Sequence, residues 1–136
     1  MKFLKFLEKL QFIEFYNLVG VCMEIYIKLE GHEFQYEIED VLKLFFGYEN
    51  IRICYEDPGE DYRGILLYSR FDAPSKDDGG YQIETMIYED GENVFKENHF
   101  FSVSLPAKDA SSIYEERKIQ KREVKRQIYK ALSQFT

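Results

Sequence analysis

MEIYIKLEGHEFQYEIEDVLKLFFG (23–47) decides the fold, because its hydrophobic period changes half-way along. Met23, Ile25, Ile27 and Leu29 point one way and Tyr26 and Lys28 the other, which is the two-residue period of a half-buried strand over 21–30. Gly31-His32 makes a turn. In YEIEDVLKLFF (36–46), Ile38, Val41, Leu42 and Phe45 then fall at i, i+3, i+4 and i+7, with acids placed early, which predicts a short helix. Gly47 is its natural stop.

Working outward, IRICY (51–55) reads as a short strand and EDPGEDYRG as a turn-rich loop with Pro58-Gly59 at its tip. GILLYSRFD (64–72) is mostly apolar and suits a central strand. YQIETMIYED (81–90) is a further strand, and Asp90-Gly91 is a strong hairpin signal. NVFKENHFFSVSL (93–105) carries the returning strand, with a bulge expected near Asn98 and a stop at Pro106. From about Ser112 to 135 the chain reads as one helix, capped by Ser111 or Ser112, with Glu115 and Glu116 in its first turn. Its apolar stripe is Ile113, Val124, Ile128, Leu132 and Phe135. The expected fold is a small α+β domain over 23–136. It has a mostly antiparallel sheet of four to five strands, helices packed on one face, and a long C-terminal helix.

The 136 residues are 45% hydrophobic, enough for a proper core without disulfides. Cys22 and Cys54 match no metal or redox spacing, so the expectation is two half-buried thiols in a reducing cytoplasm. Residues 1–22 form an apolar extension. Phe3, Phe6, Leu7, Leu10, Ile13 and, broadly, Phe15 share one side at helical spacing, while Lys5, Glu8, Lys9 and Glu14 interrupt any membrane span. An amphipathic helix covering the domain, a partner or a second copy is the better reading than one lying on a membrane.

Charge is uneven. Residues 114–130 hold seven basic groups against three acids, a local +4, so the rest of the chain carries −11 of the net −7. The acidic body disfavours nucleic acid. It leaves the basic helix as a candidate docking surface, centred on Lys121, Arg122, Lys125 and Arg126. Other chemistry is sparse. His32 is expected at a turn and His99 on a strand's outer face. The pairs Glu56-Asp57, Glu60-Asp61 and Asp77-Asp78 lack the spacing of a calcium loop. Ser102 and Ser104 have no activating base nearby in sequence. No catalytic, cofactor-binding or metal-binding residue is assigned. A stand-alone enzyme would need a site built from His32, His99 and carboxylates.

Two stretches carry a resemblance. EIYIKLEGHEFQYEIEDVLKLFF (24–46) supplies Gly31, His32, Phe34, Tyr36, Glu37 and Ile38; KREVKRQIYKALSQFT (121–136) supplies Lys125, Arg126, Tyr129, Ala131, Leu132 and Ser133. In this order, with an acidic strand-rich segment between, they resemble the N-terminal region of oxygen-independent coproporphyrinogen III dehydrogenase-like (HemZ-type) radical-SAM proteins. The resemblance covers Met23 to Thr136, with Met23 matching the family's start. It implies a non-catalytic, cytoplasmic fragment that positions or docks onto a missing catalytic barrel of haem and porphyrin biosynthesis. The parent oxidoreductase would carry a [4Fe–4S] cluster and S-adenosylmethionine. That cluster needs three close thiolates, which two cysteines 32 apart do not supply. The alternative is an independent binding module whose basic helix meets nucleic acid or an acidic protein partner.

Overall fold

The computed structural model describes residues 23–47, 49–75, 79–103 and 110–134. The expectations for residues 1–22, Cys22, Asp77, Asp78, Ser104, Pro106 and Phe135 lie outside them. The elements follow in the order β1 (Met23–Glu30), α1 (Gln35–Phe46), β2 (Ile51–Cys54), β3 (Ile65–Ser75), β4 (Gly80–Glu89), β5 (Glu92–Ser102) and α2 (Ala110–Ser133). The strands form one sheet in the order β2-β1-β3-β4-β5. Among the described residues, five strands and two helices, the second of them the long C-terminal one, make this the α+β architecture that the period changes predict.

Strand direction divides the sheet. β1 pairs in parallel with both β2 and β3, while β3-β4 and β4-β5 are antiparallel. The parallel pair β1/β2 is joined through α1, as a parallel connection requires a crossover. The loop after β2 then returns across the face opposite the two described helices, where the rings of Tyr26 and Tyr62 meet edge-on at 5.8 Å. β3 is the central strand, as its apolar run suggests.

The alternation in β1 sends Met23, Ile25 and Ile27 into the core with Ile65 and Leu67 of β3 and Ile83 and Ile87 of β4. Both helices cover that face. α1 contributes Ile38, Val41, Leu42 and Phe46, and α2 contributes Val124, Ile128, Ala131 and Leu132. Gly47 closes α1 by donating its N–H to the Lys43 carbonyl at 2.8 Å. At the far end of β1, Gly31 has φ +81° and lies so near Phe71 that a Cβ would sit 2.0 Å from its carbonyl oxygen. Only glycine fits that turn without backbone displacement.

Three local expectations are corrected. The β5 bulge is at Val94 rather than near Asn98, because Ile87 pairs with Phe95 and Tyr88 with Asn93. Ser111 and Ser112 lie inside α2, which begins at Ala110, so neither caps it, and Glu115 and Glu116 fall beyond its first turn. Ile113 is exposed rather than part of the buried stripe.

Candidate docking groove

α1 and α2 lie side by side and run in the same direction. Lys121 Nζ is 3.3 Å from Glu37 Oε1, Lys125 Nζ is 4.0 Å from Asp40 Oδ2, and the Tyr129 ring meets Phe45 edge-on at 5.1 Å. The partners advance together along both helices, which fixes the parallel orientation. Between the helices an open groove of about 530 Å³ is lined by Asp40, Val41, Leu44, Arg122, Lys125, Arg126 and Tyr129. Leu44 is 72% exposed and Tyr129 50%. Both carry apolar surface at the mouth of an otherwise packed helix pair.

The candidate docking cations are therefore brought together, three of them around one groove. None is unpaired. Arg126 Nη1 is 3.3 Å from Glu123 Oε1 and Arg122 Nη2 is 3.9 Å from the same oxygen. Lys121, outside the groove, stands over the Phe34 ring with Arg117 beside it, at 6.0 and 5.1 Å from the centroid. Glu123 is buried, and its other oxygen lies 3.1 Å from His99 Nε2. His99 thus faces α2 and not the outer face expected for it.

His32 is likewise committed to the fold. Its Nδ1 accepts the Phe34 N–H at 3.1 Å, which places the ring proton on Nε2, 2.9 Å from Ser69 Oγ. Burial lowers its pKa below the usual 6.5, against the opposing Ser69 contact and Glu37 charge. A larger hollow of about 910 Å³ opens beside it, lined by Leu29, Gly31, Glu33, Gln35 and Tyr36. With both nitrogens engaged internally, His32 presents no free atom to that hollow. Among the described residues, no group of three or more His, Cys, Asp or Glu side chains is placed to hold a metal ion. No helix among them is long and apolar enough to cross a membrane.

Sequence reasoning missed Leu44 and Asp40. The signal for Leu44 was available: an apolar residue three positions after Val41, leaning off the stripe that packs on the sheet.

No family model matches the chain, and no curated protein matches it. Among solved structures it is similar to rare lipoprotein B from Shewanella oneidensis, at 14% identity over 81% of this chain and 91% of that one, with a TM-score of 0.44. It is also similar to a minor lipoprotein from Acinetobacter baumannii, at 12% identity over 85% and 91%, with a TM-score of 0.42. Likenesses at this level carry no argument about activity or location.

These findings overturn the HemZ-type resemblance. The solved structures found are not radical-SAM N-terminal regions, and no family or curated match supports one. The motif residues have local explanations. Gly31 is forced by Phe71, His32 holds Ser69, and Phe34, Ile38, Ala131 and Leu132 are core. Glu37 and Lys125 are ion-paired between the helices. A strand–turn–helix needs such residues whatever its ancestry. The haem-biosynthesis role, the missing barrel as partner, and the cluster and S-adenosylmethionine of a parent lose the resemblance that implied them. The alternative of a basic helix reserved for nucleic acid or an acidic protein is not supported either, since its central cations are already paired within the chain.

Proposed function

We propose that this domain is a docking module whose α1/α2 groove seats the apolar face of a helical segment. The observation that supports it is the exposure of Leu44 and Tyr129 in a groove walled by helices, a shape and composition suited to helix-in-groove recognition. Arg122, Lys125 and Arg126 form the rim and orient the incoming segment. Cytoplasmic residence is part of this proposal, supported by the free, half-buried thiol of Cys54, and cell fractionation decides it.

The test is a titration of the full chain, labelled at Val and Leu methyls and at tyrosine rings, with a synthetic alanine-based helix carrying leucines at i, i+3, i+4 and i+7. Shifts confined to Val41, Leu44 and the Tyr129 ring, and lost in Leu44→Asp, are expected. No shift at millimolar peptide, or shifts that persist in Leu44→Asp, would overturn the reading.

A further inference from the structure

We propose that the outer edge of β5 is a self-association surface, where a second copy of this chain adds its own β5, antiparallel, about a two-fold axis at Asn98. The surface is separate from the α1/α2 groove and does not rest on it.

The first observation is which backbone groups β5 leaves open. β5 is 11 residues long and ends the sheet, so among the described residues no strand pairs beyond it. The Val103 N–H donates to the Gly79 carbonyl at 2.9 Å, and the β4/β5 register is unbroken from Ser102 back to Phe95. Backbone groups alternate along an antiparallel strand. Phe101, His99, Glu97 and Phe95 therefore turn theirs toward β4, as Val103 does. Lys96, Asn98, Phe100 and Ser102 turn theirs to the outer edge. The same four residues are exposed, Phe100 to 66%. A row of open N–H and C=O groups is a template for another strand. The bulge at Val94 interrupts only the start of this row.

The second observation is that the row complements itself. With Asn98 on the axis, Asn98 meets Asn98 of the second copy, and its amide is both donor and acceptor. Glu97 then faces the second copy's His99, Phe95 faces Phe101, and Lys96 faces Phe100. Phe95 and Phe101 are only partly buried in one chain, and the pairing covers them further. Lys96 lays its stem and ammonium along an aromatic ring. Cross-strand pairs of these kinds stabilise a sheet, and like charges directly opposite weaken it. Other axes do worse. An axis at Glu97 sets Glu97 against itself, and one at Lys96 sets Lys96 against itself. An axis at His99 or Phe100 sets Glu97 against Phe101 or Val103.

The third observation is closure. The opposite edge, β2, is only four residues long, and a short edge is one way a sheet avoids pairing. Joining β5 to β5 hides both long edges and leaves only the two short ones. The assembly stops at a dimer, as an isologous contact does.

The experiment uses the full chain with reductant present. Sedimentation equilibrium should show monomer and dimer and nothing larger. Amide exchange at Lys96, Asn98 and Phe100 should slow severalfold between about 50 µM and about 1 mM, while Glu97, His99 and Phe101 stay protected throughout. Phe100→Lys sets a lysine opposite Lys96 twice and should raise the dimer Kd about tenfold. Lys96→Glu added to Phe100→Lys makes both pairs opposite in charge and should restore the dimer, a rescue that only this register provides. Both positions are exposed, so the variants keep the fold. A chain that stays monomeric to about 1 mM overturns the proposal, whether the outer amides exchange fast or are held slow by another segment of the same chain. A dimer that Phe100→Lys leaves intact, or that the double variant fails to restore, overturns it too, because the contact then lies elsewhere. Species larger than a dimer would overturn the closed two-fold.

Discussion

Gly31→Ala should be among the most damaging single-methyl changes in this chain. Its added Cβ would lie 2.0 Å from the Phe71 carbonyl oxygen and 3.0 Å from the carbonyl carbon. Ordinary contact begins near 3.4 Å, so β1 and β3 must part by more than 1 Å at their paired ends. The left-handed backbone at φ +81° costs an L-residue about 1–2 kcal/mol by itself. Parting the strands weakens the pairing of Leu29 with Ser69 and Glu30 with Arg70, and pulls His32 from Ser69. Two or three hydrogen bonds at about 1 kcal/mol each bring the loss to roughly 3–5 kcal/mol. That is a large share of the ~5–15 kcal/mol by which domains are stable. Gly91→Ala is the control: Gly91 has φ +86°, but nothing lies within 4 Å of its added Cβ, so only the backbone cost applies. Urea unfolding of both variants reads the difference. Should Gly31→Ala fall within about 1 kcal/mol of Gly91→Ala, the close approach to Phe71 does not constrain the turn, and the reasoning fails.

Leu42 is fully buried beneath α1, and Leu42→Ala should cost about 3 kcal/mol in the same assay, against well under 1 for Leu44→Ala on the exposed side. His32 has a folded pKa below its unfolded value of 6.5, so its neutral form contributes stability above pH 6.5 that is lost as pH falls through the folded pKa. His32→Gln should flatten the stability slope just below pH 6.5, and an unchanged slope would dismiss burial as the cause. Glu123→Ala removes a buried acceptor shared by His99 and Arg126 and should cost about 2 kcal/mol, whereas Lys125→Ala, losing an exposed 4.0 Å pair, should stay within about 0.5 by thermal melting.

What could be read from sequence was whatever depends on a residue's own period. The alternation of β1, the stripe of α1, the stop at Gly47, the apolar run of β3 and the Asp90-Gly91 turn are local statements, and the structure has each of them. Pairing is not local. Nothing in MEIYIKLE says that β1 lies between two parallel neighbours, since a period of two names a strand without naming its partners. His99 shows how one misplaced residue propagates. Counted from the turn without an early bulge, His99 pairs with Gln82 and points outward. The extra residue at Val94 shifts every later position by one, pairs His99 with Ile83, and turns it toward α2. The groove was half legible for a similar reason. The cations of α2 stand out as a charge run, but Glu37 and Asp40, the partners of Lys121 and Lys125, lie more than 80 residues away and meet them only when the helices pack.

That pairing decides which property of the groove can carry binding. A charged partner arriving at Arg122, Lys125 or Arg126 must replace an acid already there, and exchanging one partly exposed ion pair for another gains about 0–1 kcal/mol. Covering Leu44 removes from water most of a leucine side chain, and full burial of such a side chain is worth about 1.5–3 kcal/mol. Tyr129, half exposed beside Phe45, adds to the same apolar strip. On the proposed reading, hydrophobic burial therefore outweighs charge at this groove. Lys121–Glu37 and Lys125–Asp40 bridge the two helices, whose parallel packing on the sheet forms the groove in which Leu44 is left open. The charge that stands out in the sequence is, in the fold, largely taken up by acids of α1 and of α2 itself, which leaves the apolar surface of Leu44 and Tyr129 as the feature the proposed docking would use.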